Sequence, residues 1–146
     1  MDHIKFMEVA LEESAVARSE NNRAFAAVLV KSGKVVAKSH NRVVTSNNPI
    51  EHAELSLIRE YCNKNKIADL HGYILYSICE PCPMCASACV WANISTIVYG
   101  CDNTDGPTDY DRQNQIRCQD VIKKSGKDIK IIKHVSAEKC KQIFID

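Results

Sequence analysis

The sequence predicts an α/β protein, a five-stranded mixed sheet with helices on both faces. Three observations predict it. Helix-type and strand-type apolar patterns alternate in the order α-β-β-α-β-α-β-α-β-α, which lays crossover helices over a sheet. The 146 residues have room for one core and little for a second, so residues 1–146 are expected to form a single domain. Hydrophobic residues at 45% and charged residues at 25% are ordinary for a soluble globular protein, with no repeat, linker or low-complexity stretch.

Each element has its own signal. Ile4, Met7, Leu11 and Ala15 recur at helical spacing and predict a helix from Asp2 to about Asn21. Ala24–Val30 and Lys34–His40 are β-prone runs around Ser32-Gly33, which reads as a hairpin. Thr45 to Pro49 is turn chemistry, and Pro49 just ahead of Glu51 marks the entry to a helix reaching about Asn63 through Glu54, Leu57, Ile58 and Tyr61. After His71-Gly72 comes a strand, Tyr73–Ile78. Pro83 suits a first helical position, making Cys82 a cap and Met84–Ala92 a helix. Ser95–Tyr99 is a further strand. A polar loop, Cys101–Pro107, leads to a weaker helix, Tyr110–Lys123, then a strand, Ile129–Lys133, and a last helix from Ser136.

Charge and cysteine content exclude several classes. A net charge of +1 argues against a surface built for nonspecific nucleic-acid binding. From Val121 onward seven lysines (123, 124, 127, 130, 133, 139, 141) face Asp128, Glu138 and Asp146, with no Arg and a single aromatic, Phe144, so this stretch reads as a solvated surface. The amino terminus shows no apolar signal core, and no apolar run reaches the length of a membrane span. The eight cysteines are therefore expected to be reduced thiols of a cytoplasmic protein that does not engage a membrane.

The chemistry lies in His52-Ala53-Glu54, followed by Pro81-Cys82-Pro83-Met84-Cys85. H-x-E and P-C-x-x-C together are the signature of zinc deaminases acting on nucleobases. One His and two Cys leave the fourth position of a tetrahedral Zn2+ open, as a catalytic site requires and a structural one does not. Both halves fall at helix N-termini, where unpaired N–H groups and the dipole favour the thiolate forms of Cys82 and Cys85. Two thiolates weaken the metal as a Lewis acid, so a neighbouring base becomes useful. Glu54 can take a proton from the attacking water and pass it to a ring nitrogen and the departing amine. His52 and Glu54 lie about 200° apart on an ideal helix, so they converge only if His52 lies in an irregular first turn.

Two competing assignments use the other cysteines. Cys79, Cys82, Cys85 and Cys89 have the C-x₂-C-x₂-C-x₃-C spacing of a bacterial ferredoxin. No second run exists for a second cluster, Val90 replaces the expected Pro, and His52-Ala53-Glu54 would go unexplained. A closed zinc site with Cys79 or Cys89 as fourth ligand would make a structural module without catalysis. Both are better read as packed thiols, as are Cys62, Cys101, Cys118 and Cys140.

At these residues the chain resembles the cytidine and nucleobase deaminase superfamily, and around the motif its guanine deaminase and tRNA adenosine deaminase branch. The resemblance runs from about Phe25 to Tyr99 through Ala27-Val28-Leu29-Val30, His40-Asn41, Asn48-Pro49, His52-Ala53-Glu54 and Cys79-Glu80-Pro81-Cys82-Pro83-Met84-Cys85. It implies the three-layer α/β/α cytidine-deaminase-like fold and a homodimer. It also implies zinc on His52, Cys82 and Cys85, with Glu54 shuttling protons. The Ala53 N–H would steady the attacked ring or its oxygen, and Asn41 would hydrogen-bond the base edge. Where the family has Pro-Phe-Gly-Ala this chain has Ala24-Phe25-Ala26-Ala27. The Ala26 methyl is expected near the pocket floor, and Phe25 is available to pack against a base.

The Thr45–Pro49 lead-in and the cysteine segment look like guanine deaminases. Asp111 stands roughly where that group presents an acidic contact to the guanine amino group; a helix N-cap is its alternative role. The expected reaction is hydrolytic deamination of an aminated purine base or nucleoside, guanine-type, with a small heterocyclic amine as partner. The alternative is a tRNA-specific adenosine deaminase forming inosine in an anticodon loop, which the seven lysines favour. A cytosine-type substrate is a weaker option.

Overall fold

A computed structural model of the protein describes residues 1–106 and 115–145. Helix α1 (His3–Ser19) starts where the Asp2 side chain accepts the Lys5 N–H at 3.1 Å. Strands β1 (Ala26–Lys31) and β2 (Lys34–His40) follow as an antiparallel hairpin. Its turn residues Ser32 and Gly33 both have positive φ, 51° and 75°, as a tight hairpin turn requires. Next come a single turn α2 (Val43–Ser46), helix α3 (Ala53–Asn65), strand β3 (Tyr73–Cys79), helix α4 (Pro83–Ala92) and strand β4 (Thr96–Cys101). A 3₁₀ turn at Asn103–Asp105, helix α5 (Cys118–Ser125), strand β5 (Lys130–Ile132) and helix α6 (Ala137–Ile145) complete the described elements.

The five strands form one mixed sheet in the order β2-β1-β3-β4-β5. β1 pairs antiparallel with β2 and β3, whereas β3–β4 and β4–β5 are parallel, joined by the crossovers through α4 and α5. Strand alternation splits the core in two. Ala27 and Leu29 of β1, Leu75 of β3 and Ile97 of β4 pack with Leu57 of α3, Ala86 and Cys89 of α4 and Ile122 of α5. Ala26, Val28, Val30, Tyr76 and Val98 face the other way, against Phe6, Met7 and Ala10 of α1 and Cys140 of α6. β1 is buried on both faces over Ala26–Val30, which is why it reads as a continuous apolar run.

Three expectations change in detail. The helix expected from Glu51 begins at Ala53, with His52 outside it in extended backbone (φ −74°, ψ 154°). Thr45 and Ser46 of the expected Thr45–Pro49 turn belong to α2, which is capped by left-handed Asn47 (φ 52°). The helix expected over 110–123 is observed over Cys118–Ser125, and its expected first residues lie outside the described part. The place of Ala26 is a correction. Its methyl belongs to the α1/α6 core, because alternation along β1 turns it away from the face carrying α3 and α4. The extra methyl is therefore not at a pocket floor on the ligand side. No helix among the described residues is long and apolar enough to cross a membrane.

Candidate metal and catalytic site

His52 and Cys82 play the same part in two helices. Each is the N-cap residue, extended itself, with its carbonyl accepting the first helical bond: Ser56 N–H to His52 O at 3.0 Å and Ala86 N–H to Cys82 O at 2.8 Å. Pro83 is the first residue of α4, where its missing N–H costs nothing. Since α3 and α4 pack side by side on one face of the sheet, the two N-termini meet. His52 Nδ1 stands 3.5 Å from Cys82 Sγ. One donor atom each from His52, Cys82 and Cys85 lies within 4.8 Å of the other two, a spread that suits a tetrahedral ion.

These are the donors found among the described residues; Cys79 and Cys89 are not part of the group. The Cys79 thiol points to the Asp102 carbonyl at 3.5 Å, and Cys89 is buried in the core of α4. The geometry thus presents three donors, without the fourth cysteine that a closed site or an iron–sulfur cluster would use.

Electrostatics at the group follow from shared protons. The Cys85 thiol hydrogen-bonds the Cys82 sulfur, which with the neighbouring His52 brings Cys82 down to about 4 and pushes Cys85 well up. The same sulfur raises His52 through its hydrogen bond. Cys82 is thus the thiol of the pair that ionises more readily. A zinc ion held there would take both sulfurs as thiolates.

Glu54 is in the first turn of α3 and buried, and removal from water raises its carboxyl above the usual range. It lies outside the donor group. The Ser77 hydroxyl of β3 bonds its Oε1 at 2.5 Å. Ala53, fully buried, is the first residue of α3, so its N–H has no carbonyl four residues back to satisfy it within the helix. The entry to α3 is braced by Glu51, whose carboxylate accepts from Ser56 Oγ at 3.0 Å and Arg59 Nη2 at 2.7 Å.

Asn41 follows the last residue of β2 and is 1% exposed. Its Oδ1 accepts the Val43 N–H at 3.1 Å, which identifies the oxygen, and its own N–H donates to Phe25 O at 3.0 Å. Its Nδ2 is buried with no hydrogen-bond partner among the described residues. A buried amide donor left over in this way is rare in folded proteins and points to an acceptor supplied from outside. Phe25 is partly buried and packs its ring on Phe144 of α6, centroids 4.9 Å apart. Asp111 lies outside the described residues.

Sequence reasoning missed Ser77 and Glu51. A signal for Ser77 was present: it is a hydroxyl inside the otherwise apolar strand Tyr73–Ile78, where a buried polar group must find a partner. Glu51 marks a helix entry in the sequence but does not reveal its brace, because nothing in its spacing singles out Ser56 and Arg59 from other α3 residues.

Three protein donors among the described residues are the number that catalytic zinc sites use, where structural sites use four. The chain belongs to the family described as the cytidine and deoxycytidylate deaminase zinc-binding region, whose model matches residues 1–101. It is 44% identical over 81 residues to a guanine deaminase of Bacillus subtilis (strain 168), covering 56% of this chain and 52% of that one. It is 36% identical over 101 residues to the tRNA-specific adenosine deaminase of the same organism, covering 69% and 63%. The matches thus span about half the length of the first relative and under two thirds of the second. Among solved structures, a tRNA:A34 deaminase aligns over 95% of this chain and 98% of its own, with a TM-score of 0.76 and 28% identity. A guanine deaminase from Nitrosomonas europaea aligns over 98% and 82%, with a TM-score of 0.85; at 20% identity this likeness concerns the fold.

Proposed function

We propose that this chain is a single-domain, zinc-dependent hydrolytic deaminase of an aminated purine, guanine-type, releasing ammonia and leaving the oxo product. One observation carries the reading: a three-donor group, His52, Cys82 and Cys85, next to a buried carboxyl, Glu54, that is not one of the donors. Zinc bound there supplies a Lewis acid that makes a water easier to deprotonate. Glu54 takes the proton of the water that adds to the amino-bearing carbon and delivers it to the adjacent ring nitrogen. A second proton passes through Glu54 to the amine, the C–N bond breaks, and ammonia leaves a carbonyl behind. The Asn41 amide donates to an acceptor on the ring edge, and the Ala53 N–H supports the oxygen that develops. Identity to the guanine deaminase over the motif region favours the purine base as substrate.

The second reading, a tRNA-specific adenosine deaminase, is favoured by the longer match to that enzyme and by the exposed lysines at the end of α5. Ammonia release from guanine, guanosine, adenosine, cytosine and a tRNA anticodon stem-loop separates the two. Guanine should be turned over fastest, and Glu54→Gln should keep its zinc while slowing turnover by about 10²–10⁴-fold. Inosine formed only in the stem-loop decides for the tRNA reading, and near-normal turnover by Glu54→Gln removes Glu54 from the mechanism.

Two further parts of the proposal concern setting. All eight cysteines are free thiols, which supports a reducing, cytoplasmic location. The chain is proposed to act as a homodimer through the α3–α4 face, where Trp91 is 87% exposed beside an apolar groove lined by Leu55, Met84 and Ala88. Sedimentation at the monomer mass by the unmodified protein would remove the dimer; an unchanged dimer mass in Trp91→Asp would remove this face.

A further inference from the structure

We propose that Ser77 is a positioning residue for Glu54, holding the carboxyl by one oxygen so that the group stays in place through a turnover. The inference rests on the proton-shuttle role of Glu54 proposed above. Ser77 lies on β3 opposite Ala27 of β1, on the sheet face that carries α3, and is fully buried. Its Oγ is 2.5 Å from Glu54 Oε1 and 2.6 Å from the carbonyl oxygen of Cys79. The hydroxyl has one proton and two acceptors in reach. Pointed at Glu54, it donates to the carboxylate. Turned toward the Cys79 carbonyl, it keeps a donor bond there and offers a lone pair to Glu54. One oxygen can therefore hold Oε1 whether the carboxyl carries a proton or not, and neither arrangement leaves Ser77 unpaired.

The position matters because the Glu54 carboxyl hangs on three rotatable side-chain bonds, and a hydrogen bond from a fixed point narrows the rotamers it can take. Ser77 sits inside a strand paired on both sides, with Ala27 and with Tyr99, so its backbone is held by a strand on each flank. β3 also runs directly into the Cys82 loop, since Cys79 is its last residue and Pro81 precedes Cys82. The strand that delivers two sulfur donors thus also grips the carboxyl that works beside them. A catalytic group fixed by a rigid element is held closer to its reacting geometry than one left on its own rotamers.

The test uses the zinc-loaded full chain and whichever substrate of the panel it turns over. Ser77→Ala should keep about one zinc per chain and lower kcat roughly ten- to a hundred-fold with KM little changed, the scale of one hydrogen bond to a charged group. Ser77→Thr, which restores the hydroxyl, should recover most of the rate. Added to Glu54→Gln, Ser77→Ala should cost little more. If the smaller side chain unsettles the strand, Ser77→Cys, of similar volume and a weak donor, makes the same comparison. A crystal structure of the zinc-loaded Ser77→Ala protein gives a readout independent of turnover: Glu54 should leave its present rotamer. Wild-type kcat in Ser77→Ala, loss of zinc in it, an equal penalty on the Glu54→Gln background, or an unmoved Glu54 rotamer each overturns the proposal. Normal turnover by Glu54→Gln alone would instead show that the shuttle reading had failed.

Discussion

Asn41 shows how much one side chain gains its meaning from burial. By sequence it is a polar residue after a strand, equally at home in a turn. In the structure its oxygen is committed to the Val43 N–H while its Nδ2 is buried and unmatched. That asymmetry yields a sharp prediction. Asn41→Asp keeps an acceptor for Val43 but replaces the donor with a second acceptor, whereas Asn41→Ala removes both. Each should lose about 1–3 kcal/mol in kcat/KM, with zinc content unchanged. Full activity in Asn41→Asp would show that Nδ2 does not meet the substrate. Glu54 makes the complementary point, because its burial is visible in the fold while its identity as a carboxyl two residues after His52 is visible in the sequence.

At the scale of elements, the site is the meeting of two helix N-termini. The sequence places His52 and Cys82 at helix entries through Pro49 and Pro83 and the apolar spacing that follows them. The 200° separation of His52 and Glu54 on an ideal helix disappears because His52 is the cap, in extended backbone, and Glu54 the second helical residue. Metal content tests this arrangement. Purified protein should carry about one zinc per chain, and His52→Ala or Cys85→Ser should lose it. Cys79→Ser and Cys89→Ser should retain it, since one thiol faces the Asp102 carbonyl and the other the α4 core. Zinc loss in either of the latter two would restore the closed structural site, and an iron–sulfur chromophore would displace zinc altogether.

For the whole molecule the open choice is between a free heterocycle and a base within RNA. A net charge of +1 gives little counterion release on binding a polyanion, so RNA would have to be held by local lysines. Lys123, Lys124 and Lys127 are exposed around the end of α5. Replacing all three with Ser should leave guanine turnover almost unchanged and insensitive to salt. Activity on a tRNA stem-loop that falls steeply with salt and with loss of these lysines would favour the tRNA reading, with a salt slope reduced in proportion to the phosphate contacts removed.

Legible from the sequence alone are the element order, the sheet with helices on both faces, and the candidate set His52, Glu54, Cys82 and Cys85. Apolar periodicity and the spacing of metal-type side chains are local properties, readable without knowing what lies opposite. Which way each side chain faces, and what it meets, follows from the packing of elements far apart in the chain. The Ala26 methyl turned out to face the α1/α6 core because strand alternation depends on a register that one residue would reverse. Ser77 gained its partner because β3 lies under the first turn of α3, and Asn41 kept an unmatched donor because the chain around it closed over it. Contacts between residues far apart in the chain leave no period to read, so these roles became visible when the sheet brought the elements together.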